Sequence, residues 1–238
     1  MADRDRPLYA VLIDADNIPS KYAGALLKEI TSFGEPALRR VYGDWGSQRL
    51  NTWAKAVRDL GLVAHQETAN TVGKNASDIG LVIDAMDILH SGRFDGFVLV
   101  SSDSDFTALA NRVREQGMDV IGIGEAKAPE SLRNVCNRFI LLENLLDDQP
   151  ASEKGPAEPA SKKQDPIKAA PLIVKAMDKI NSEDEWYALG QLGQYITRDN
   201  PDFDPRTYGK KKLSDLVEGL KRFETKKIGN QLHVRRVD

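Results

Sequence analysis

Three short stretches hold the residues whose types could do chemistry. "LIDADNI" runs out of an apolar segment into Asp14, Asp16 and Asn17, "KNASDIGLVIDA" carries Asp78, and "SSDSDF" carries Asp103 and Asp105. A single aspartate at a strand end is ordinarily a turn former or a helix cap, and Asp16, beside Asn17 at a helix entrance, reads that way. Four near one sheet edge are a different matter. Asp14, Asp78, Asp103 and Asp105 would repel one another unless a cation neutralised them, and oxygen donors without histidine or cysteine suit a hard divalent ion, Mg2+ or Mn2+. Phosphoryl transfer is the chemistry most in need of such an ion, which can activate water and stabilise charge developing on a phosphate.

The elements that must position these residues follow from hydrophobic pattern. Strand-like runs at Leu8–Ile13, Ala37–Tyr42, Leu62–His65, Gly96–Val100, Met118–Ile123 and Arg138–Leu142 alternate with helical patterns at Lys21–Ser32, Gln48–Leu60, Ser77–His90, Phe106–Gln116 and a short one from Pro129. The expected fold class is α/β, a doubly wound, mostly parallel sheet, because runs such as "FVLVSS" are apolar on both faces. Ligands of such sheets sit beyond the carboxyl ends of the strands, where Asp14 and Asp103 fall. Asp105 enters the first turn of the next helix, whose N-terminus tolerates its charge. In the helix over Ser77–His90 the buried stripe is read as Ile79, Val82, Ile83, Met86 and Leu89. That reading puts Asp78 at the stripe's edge, facing a cleft, and Asp84 in solvent.

The chain has 238 residues, 41% of them hydrophobic, enough for one large domain or two of moderate size. Charge divides it. Residues 1–147 carry 16 Lys and Arg against 21 Asp and Glu, net −5, and residues 166–238 carry 14 against 11, net +3. Between them "DDQPASEKGPAEPASKKQDP" has no large apolar side chain and reads as a flexible linker over 148–165. The one cysteine, Cys136, excludes a disulfide framework and a cysteine-rich zinc site, and reads as a reduced, buried residue of a cytoplasmic protein. His65, His90 and His233 have no zinc spacing, and "IGIGEAK" lacks the residues of a P-loop. With only a short apolar run near the N-terminus and none of about eighteen residues elsewhere, neither secretion nor membrane spanning is expected.

Beyond the linker, helical patterns at Ile167–Ile180, Tyr187–Thr197 and Pro205–Arg222 precede two strands around Gly229-Asn230. This is the order of a smaller, winged helix-turn-helix domain. Arg206, Lys210 and Lys212 at the start of its third helix, with Lys226, Lys227, Arg235 and Arg236 on the wing, are the candidate phosphate contacts. Tyr208 is a candidate for stacking on a base, with burial under the domain as its other reading.

The three acidic stretches resemble the motifs of NYN domains, PIN-like nucleases of α/β fold, over about residues 7–147. The resemblance implies metal or catalytic roles for Asp14, Asp78, Asp103 and Asp105, with Asn17 as a helper. Family members often have glycine where Ser102 stands, a difference that alters the turn. "WYALGQLGQYI" and "FDPRTYGKKKLSDLVEGLKRFE" with the closing hairpin are similar to the OST-HTH or LOTUS domain, over about residues 166–238. That similarity implies RNA binding, with a protein partner as the alternative. The expectation is therefore a metal-dependent ribonuclease with a C-terminal RNA-binding module, its oligomeric state left open. Two rivals are a binding or adaptor protein with a vestigial acidic pocket, and a haloacid-dehalogenase-like phosphatase using Asp14 as nucleophile. Against the phosphatase, Asn17 and Ile18 stand where Gly-Thr or a similar pair is usual.

Overall fold

The computed structural model describes residues 5–46, 48–66, 76–146, 163–180 and 185–237, and the linker expected over 148–165 lies outside them except for its last three residues. The chain divides into two compact units, residues 1–155 and 156–238. In the first, the strands are β1 (Leu8–Asp14), β2 (Glu35–Gly43), β3 (Val63–Gln66), β4 (Gly96–Val100), β5 (Asp119–Gly124) and β6 (Arg138–Leu141). The helices are α1 (Ala23–Ile30), α2 (Asn51–Leu60), α3 (Ala76–His90), α4 (Phe106–Glu115) and α5 (Glu130–Val135). Among the described residues the six strands form one parallel sheet in the order β3-β2-β1-β4-β5-β6. The order reverses between β1 and β4, and the crevice at such a reversal is where doubly wound sheets hold ligands.

Strand alternation decides what that crevice contains. Val11, Ile13, Val98 and Val100 pack with Leu26, Ile30 and Trp53 of α1 and α2. Ala10, Leu12, Phe97 and Leu99 point the other way, onto Leu81, Ala85 and Ile88 of α3 and Leu109 and Val113 of α4. Ile13 pairs with Val100. The next residues, Asp14 and Ser101, thus leave adjacent strands together, on the face covered by α3 and α4. Each large aliphatic side chain buried in these layers is worth about 1.5–3 kcal/mol, so the register is firmly held. Cys136 is part of the second layer; burial pushes its thiol up to about 12.

Helix α3 differs from the sequence expectation. Its buried positions are Leu81, Ala85, Ile88 and Leu89, whereas Ile79 and Ile83 are 60% and 59% exposed. The helix carries apolar residues all round, so periodicity alone admits more than one stripe. The face chosen brings Asp78, three residues before Leu81, toward the sheet edge. It also turns Asp84, between Leu81 and Ile88, onto β2 instead of into solvent. There Asp84 accepts hydrogen bonds from the Arg40 guanidinium and the Tyr42 hydroxyl, with His65 Nδ1 3.9 Å away.

Contacts within the second unit reach back to Gln164. Gln164 donates its N–H to the Thr207 carbonyl at 2.9 Å, and Asp165 caps the turn Pro166–Ala169 by accepting the Ile167 N–H. Helices α6 (Ala170–Ile180), α7 (Leu189–Asp199) and α8 (Leu213–Glu218) pack Ile173, Met177, Leu192, Ile196, Leu216 and Val217 around Val234. Strands β7 (Tyr187–Ala188), β8 (Phe223–Ile228) and β9 (Gln231–Arg236) form an antiparallel sheet in the order β7-β9-β8. The single helix expected over Pro205–Arg222 is broken. A turn at Pro205–Tyr208, capped by Asp204, ends on Gly209 at φ 71°, and an extended Lys212 precedes α8. Tyr187 and Ala188, expected to be helical, instead pair with Val234 and His233.

Candidate active site

Asp14 is the centre of the crevice. It is 1% exposed, its Oδ2 accepts from the Ser101 hydroxyl at 2.8 Å and from Asn17 Nδ2 at 2.7 Å, and its Oδ1 accepts the Asn17 N–H at 3.3 Å. Burial pushes its pKa above the ordinary carboxylate value, while the bonds from Asn17 and Ser101 act in the opposite direction. The loop that brings Asn17 back is pinned from behind, because the Trp53 indole donates to the Ile18 carbonyl at 2.7 Å.

Ser101 also joins Asp14 to the next acidic turn. Its Oγ accepts the Asp103 N–H at 3.1 Å, and Asp103 Oδ1 in turn accepts the Asp105 N–H at 2.9 Å at the start of α4. Asp103 is half-buried and Asp105 exposed. Asp78 arrives from α3, and its carboxyl is pushed up to about 6, first by burial and then by the negative charges of Asp14, Asp103, Asp105 and Asp16. All four candidate carboxylates and Asn17 therefore belong to one neighbourhood. Ser101 opens the "SSDSDF" stretch but has no acid-base signature to distinguish it from Ser102; the strand parity that sets it beside Asp14 is the signal that identifies it.

Asp16, read as a cap, instead bonds Arg49 Nη2 at 2.9 Å. That pair borders a cavity of about 340 Å³ on the α1 and α2 side, with Lys21, Ser20 and Thr52 in its lining. Ser102 accepts the Glu125 N–H at 2.8 Å and so ties the acidic turn to the end of β5. The neighbouring strand has to come close. A Cβ on Gly124 would stand 2.6 Å from the Ser101 carbonyl oxygen and 3.1 Å from Ser102 Oγ, which only glycine avoids.

The donor chemistry of Asp14, Asp78, Asp103 and Asp105 fits a hard divalent cation: all oxygen, with the Asp14 and Asp78 carboxyls raised first by burial and then by neighbouring negative charge. Among the described residues, however, no three such side chains stand close enough to enclose an ion by themselves. Oxygens from water or substrate would have to complete the shell.

The candidate RNA contacts lie in the second unit. Arg206 is drawn onto the buried Asp204, with Nη2 to Oδ2 at 2.7 Å, and its side chain is 14% exposed. Tyr208 is half-buried, its ring centre 6.0 Å from that of Phe203, and burial with the charge of Asp202 raises its hydroxyl pKa. Lys210 and Lys212 lie on the loop before α8. On the wing, alternation separates Lys226 and Arg235 from Lys227 and Arg236, which share the face of Phe223 and Val234. Lys226 and Arg235 lie over the Trp186 ring, at 4.1 and 4.9 Å from its centre, and Arg235 also pairs with Glu224. Nothing in the sequence pattern singles out Trp186.

Comparison with known proteins agrees with this layout. An OST-HTH/LOTUS domain, an RNA-binding module, matches residues 163–234. A protein of unknown function from Vibrio parahaemolyticus RIMD 2210633 is similar in fold, with a TM-score of 0.50 at 19% identity over 58% of this chain and 94% of its own. An uncharacterised protein of Nitrosomonas europaea, solved by solution NMR, is 32% identical over 38% of this chain and 86% of its own, with a TM-score of 0.27. None of the curated proteins compared matches the chain. Among the described residues no helix is long and apolar enough to cross a membrane. The NYN domain, a PIN-like nuclease family, matches residues 9–143, the whole span of the parallel sheet and its crevice, and the chain belongs to that family.

Proposed function

We propose that the first unit hydrolyses RNA phosphodiester bonds with Mg2+ or Mn2+, in the cytoplasm, and that the second unit holds the RNA. The observation that carries this reading is Asp14, buried at the sheet's switch point and fixed by Ser101 and Asn17, with Asp78 raised to about 6 by burial and the carboxylates around it. Asp14, Asp78, Asp103 and Asp105 are the residues that would hold the cation, which when bound supplies water activation and charge stabilisation on the phosphate. The chain's own groups prepare that site. Ser101 and Asn17 hold the Asp14 carboxylate in one orientation, and Asp103 braces the turn through the Asp105 N–H.

The test is cleavage of labelled single-stranded and structured RNA with Mg2+ or Mn2+, with EDTA as control. Asp103→Asn should abolish cleavage and leave the circular dichroism spectrum unchanged. A variant that cuts at the wild-type rate removes the site assignment. An aspartyl-phosphate trapped on Asp14 overturns the nuclease reading in favour of the phosphatase. RNA that is bound and never cut makes the protein an adaptor.

A further inference from the structure

Beside the acidic crevice, on the side of α3 and α4, runs a groove of about 310 Å³ lined by Asp78, Ile79, Val82, Ile83, Asp105 and Phe106. Its walls are mostly apolar, and its two carboxylates are also members of the acidic site. Ile79 and Ile83 stand one helical turn apart on α3 and are 60% and 59% exposed. Together with Val82 and Phe106 they make a contiguous apolar strip open to water, the kind of surface that marks an interaction site. The cavity on the other side of the crevice is more mixed, its polar lining being Asp16 paired with Arg49, Asn17, Ser20, Lys21 and Thr52.

We propose that the α3–α4 groove is a base subsite: it receives the nucleobase of the nucleotide whose phosphate lies at the acidic crevice. This rests on the nuclease reading and adds to it the side chains that choose the cut. With a cation on the carboxylates, as the nuclease reading has it, an occupant that reaches both the cation and the apolar wall must carry an anionic group and a flat apolar one a few bonds apart, as a nucleotide does. The contrast between the two cavities favours the same occupant. A strand of RNA presents phosphate and base in alternation, so a polar cavity on one side of the scissile bond and an apolar groove on the other match its two kinds of group. A face that merely docks a second protein would have no need to share Asp78 and Asp105 with the acidic site. Ile79, Val82 and Ile83 would pack on one face of the base and Phe106 at the inner end. The subsite would tolerate different bases by packing and rank them by shape, since base packing on apolar or aromatic side chains depends little on edge hydrogen bonds.

The experiment uses the full chain with isoleucine δ-methyl labelling in an Asp103→Asn background with Mg2+, titrated with a single-stranded RNA hexanucleotide and, separately, with inorganic polyphosphate. Ile79 and Ile83 methyl resonances, assigned from the valine variants, are expected to shift with RNA and to stay in place with polyphosphate. In the cleaving protein, Ile83→Gln should raise KM by about ten-fold, the effect of removing one base-packing side chain, and flatten the distribution of cut sites among the four bases. Because both isoleucines are exposed, the glutamine variant keeps the fold, which circular dichroism checks. If wild type cuts RNA while the methyls stay silent and Ile83→Gln keeps the same base preference, the groove is no base subsite and the nuclease reading stands. If the methyls shift and wild type does not cut, the subsite stands and the nuclease reading falls. If sedimentation shows a dimer that Ile83→Gln dissociates, with RNA affinity unchanged, the groove belongs to a second copy of the chain and the inference is overturned.

Discussion

The Ser101 hydroxyl donates to Asp14 Oδ2 at 2.8 Å, and the same oxygen accepts the Asp103 N–H at 3.1 Å. One neutral side chain therefore fixes the buried carboxylate and the acidic turn relative to each other. Ser101→Ala is expected to lower kcat by about ten- to one hundred-fold, the range for a hydrogen bond to a charged group, with KM for RNA little changed. Ser101→Thr, which keeps the hydroxyl, should recover most of the rate. Equal kcat in the alanine variant and wild type would mean that the bond positions nothing.

Asp78 gives the protein a pH signature. Its folded pKa is raised from 3.8 to about 6, so between those values the folded state holds a proton that the unfolded chain has lost. Stability from this group is then full below about pH 4, falls as pH rises, and is lost above about pH 6. Asp78→Asn should raise the Tm of the metal-free protein at pH 7.5 and change it little at pH 4. Millimolar Mg2+ should stabilise wild type at pH 7.5 and do much less for the variant. Thermal unfolding at both pH values, with and without Mg2+, checks the sign; a destabilised Asp78→Asn protein at pH 7.5 would contradict it.

The hold of Asp84 on β2 should be measurable as stability. Asp84→Ala leaves the Arg40 guanidinium and Tyr42 hydroxyl, both partly shielded from water, without their acceptor, at an expected cost of about 1–3 kcal/mol. Adding Arg40→Met should recover part of it, since the two changes remove one interaction. Urea unfolding midpoints decide the matter, and an unchanged midpoint for Asp84→Ala would show the contact to be idle.

For the second unit, removing residues 163–238 is expected to weaken RNA binding more than it slows cleavage at saturating RNA. Lys226→Glu should flatten the dependence of log affinity on log salt by about 0.7–0.9 for each phosphate that is no longer neutralised. Lys227→Glu, on the other face of the wing, should have the smaller effect if RNA lies against Trp186. Equal affinities and salt slopes for the full chain, the truncated chain and both variants would point to a protein partner for this domain.

The strands and helices of the first unit are legible in the sequence because each is a strong apolar pattern bounded by turn residues, and Asp14, Asp78 and Asp103 stand out as carboxylates at their ends. The rest depends on choices the pattern leaves open. In α3, Ile83 is as apolar as Leu81, and the helix's own periodicity does not choose between them; the face that packs on the sheet buries Leu81 and sets Asp84 against β2. Ser101 is one of two adjacent serines, and only the register Ile13 to Val100 selects it. In the second unit, the leading Pro205 and the apolar spacing to Leu220 suggest one helix, but Gly209 in the left-handed region and the Asp204 cap use the backbone differently. Trp186 becomes conspicuous only when the sheet sets Lys226 and Arg235 over its ring.

The tight seat of Gly124 makes the acidic turn dependent on a neighbour that supplies no ligand of its own. A single added methyl there would press on the Ser101 carbonyl and displace the turn that carries Asp103 without altering any carboxylate. Counting aspartates would score such a chain as intact. The geometry of the acidic crevice thus depends partly on a residue with no functional group, and Gly124→Ala is expected to disturb the turn while every candidate carboxylate stays in the sequence.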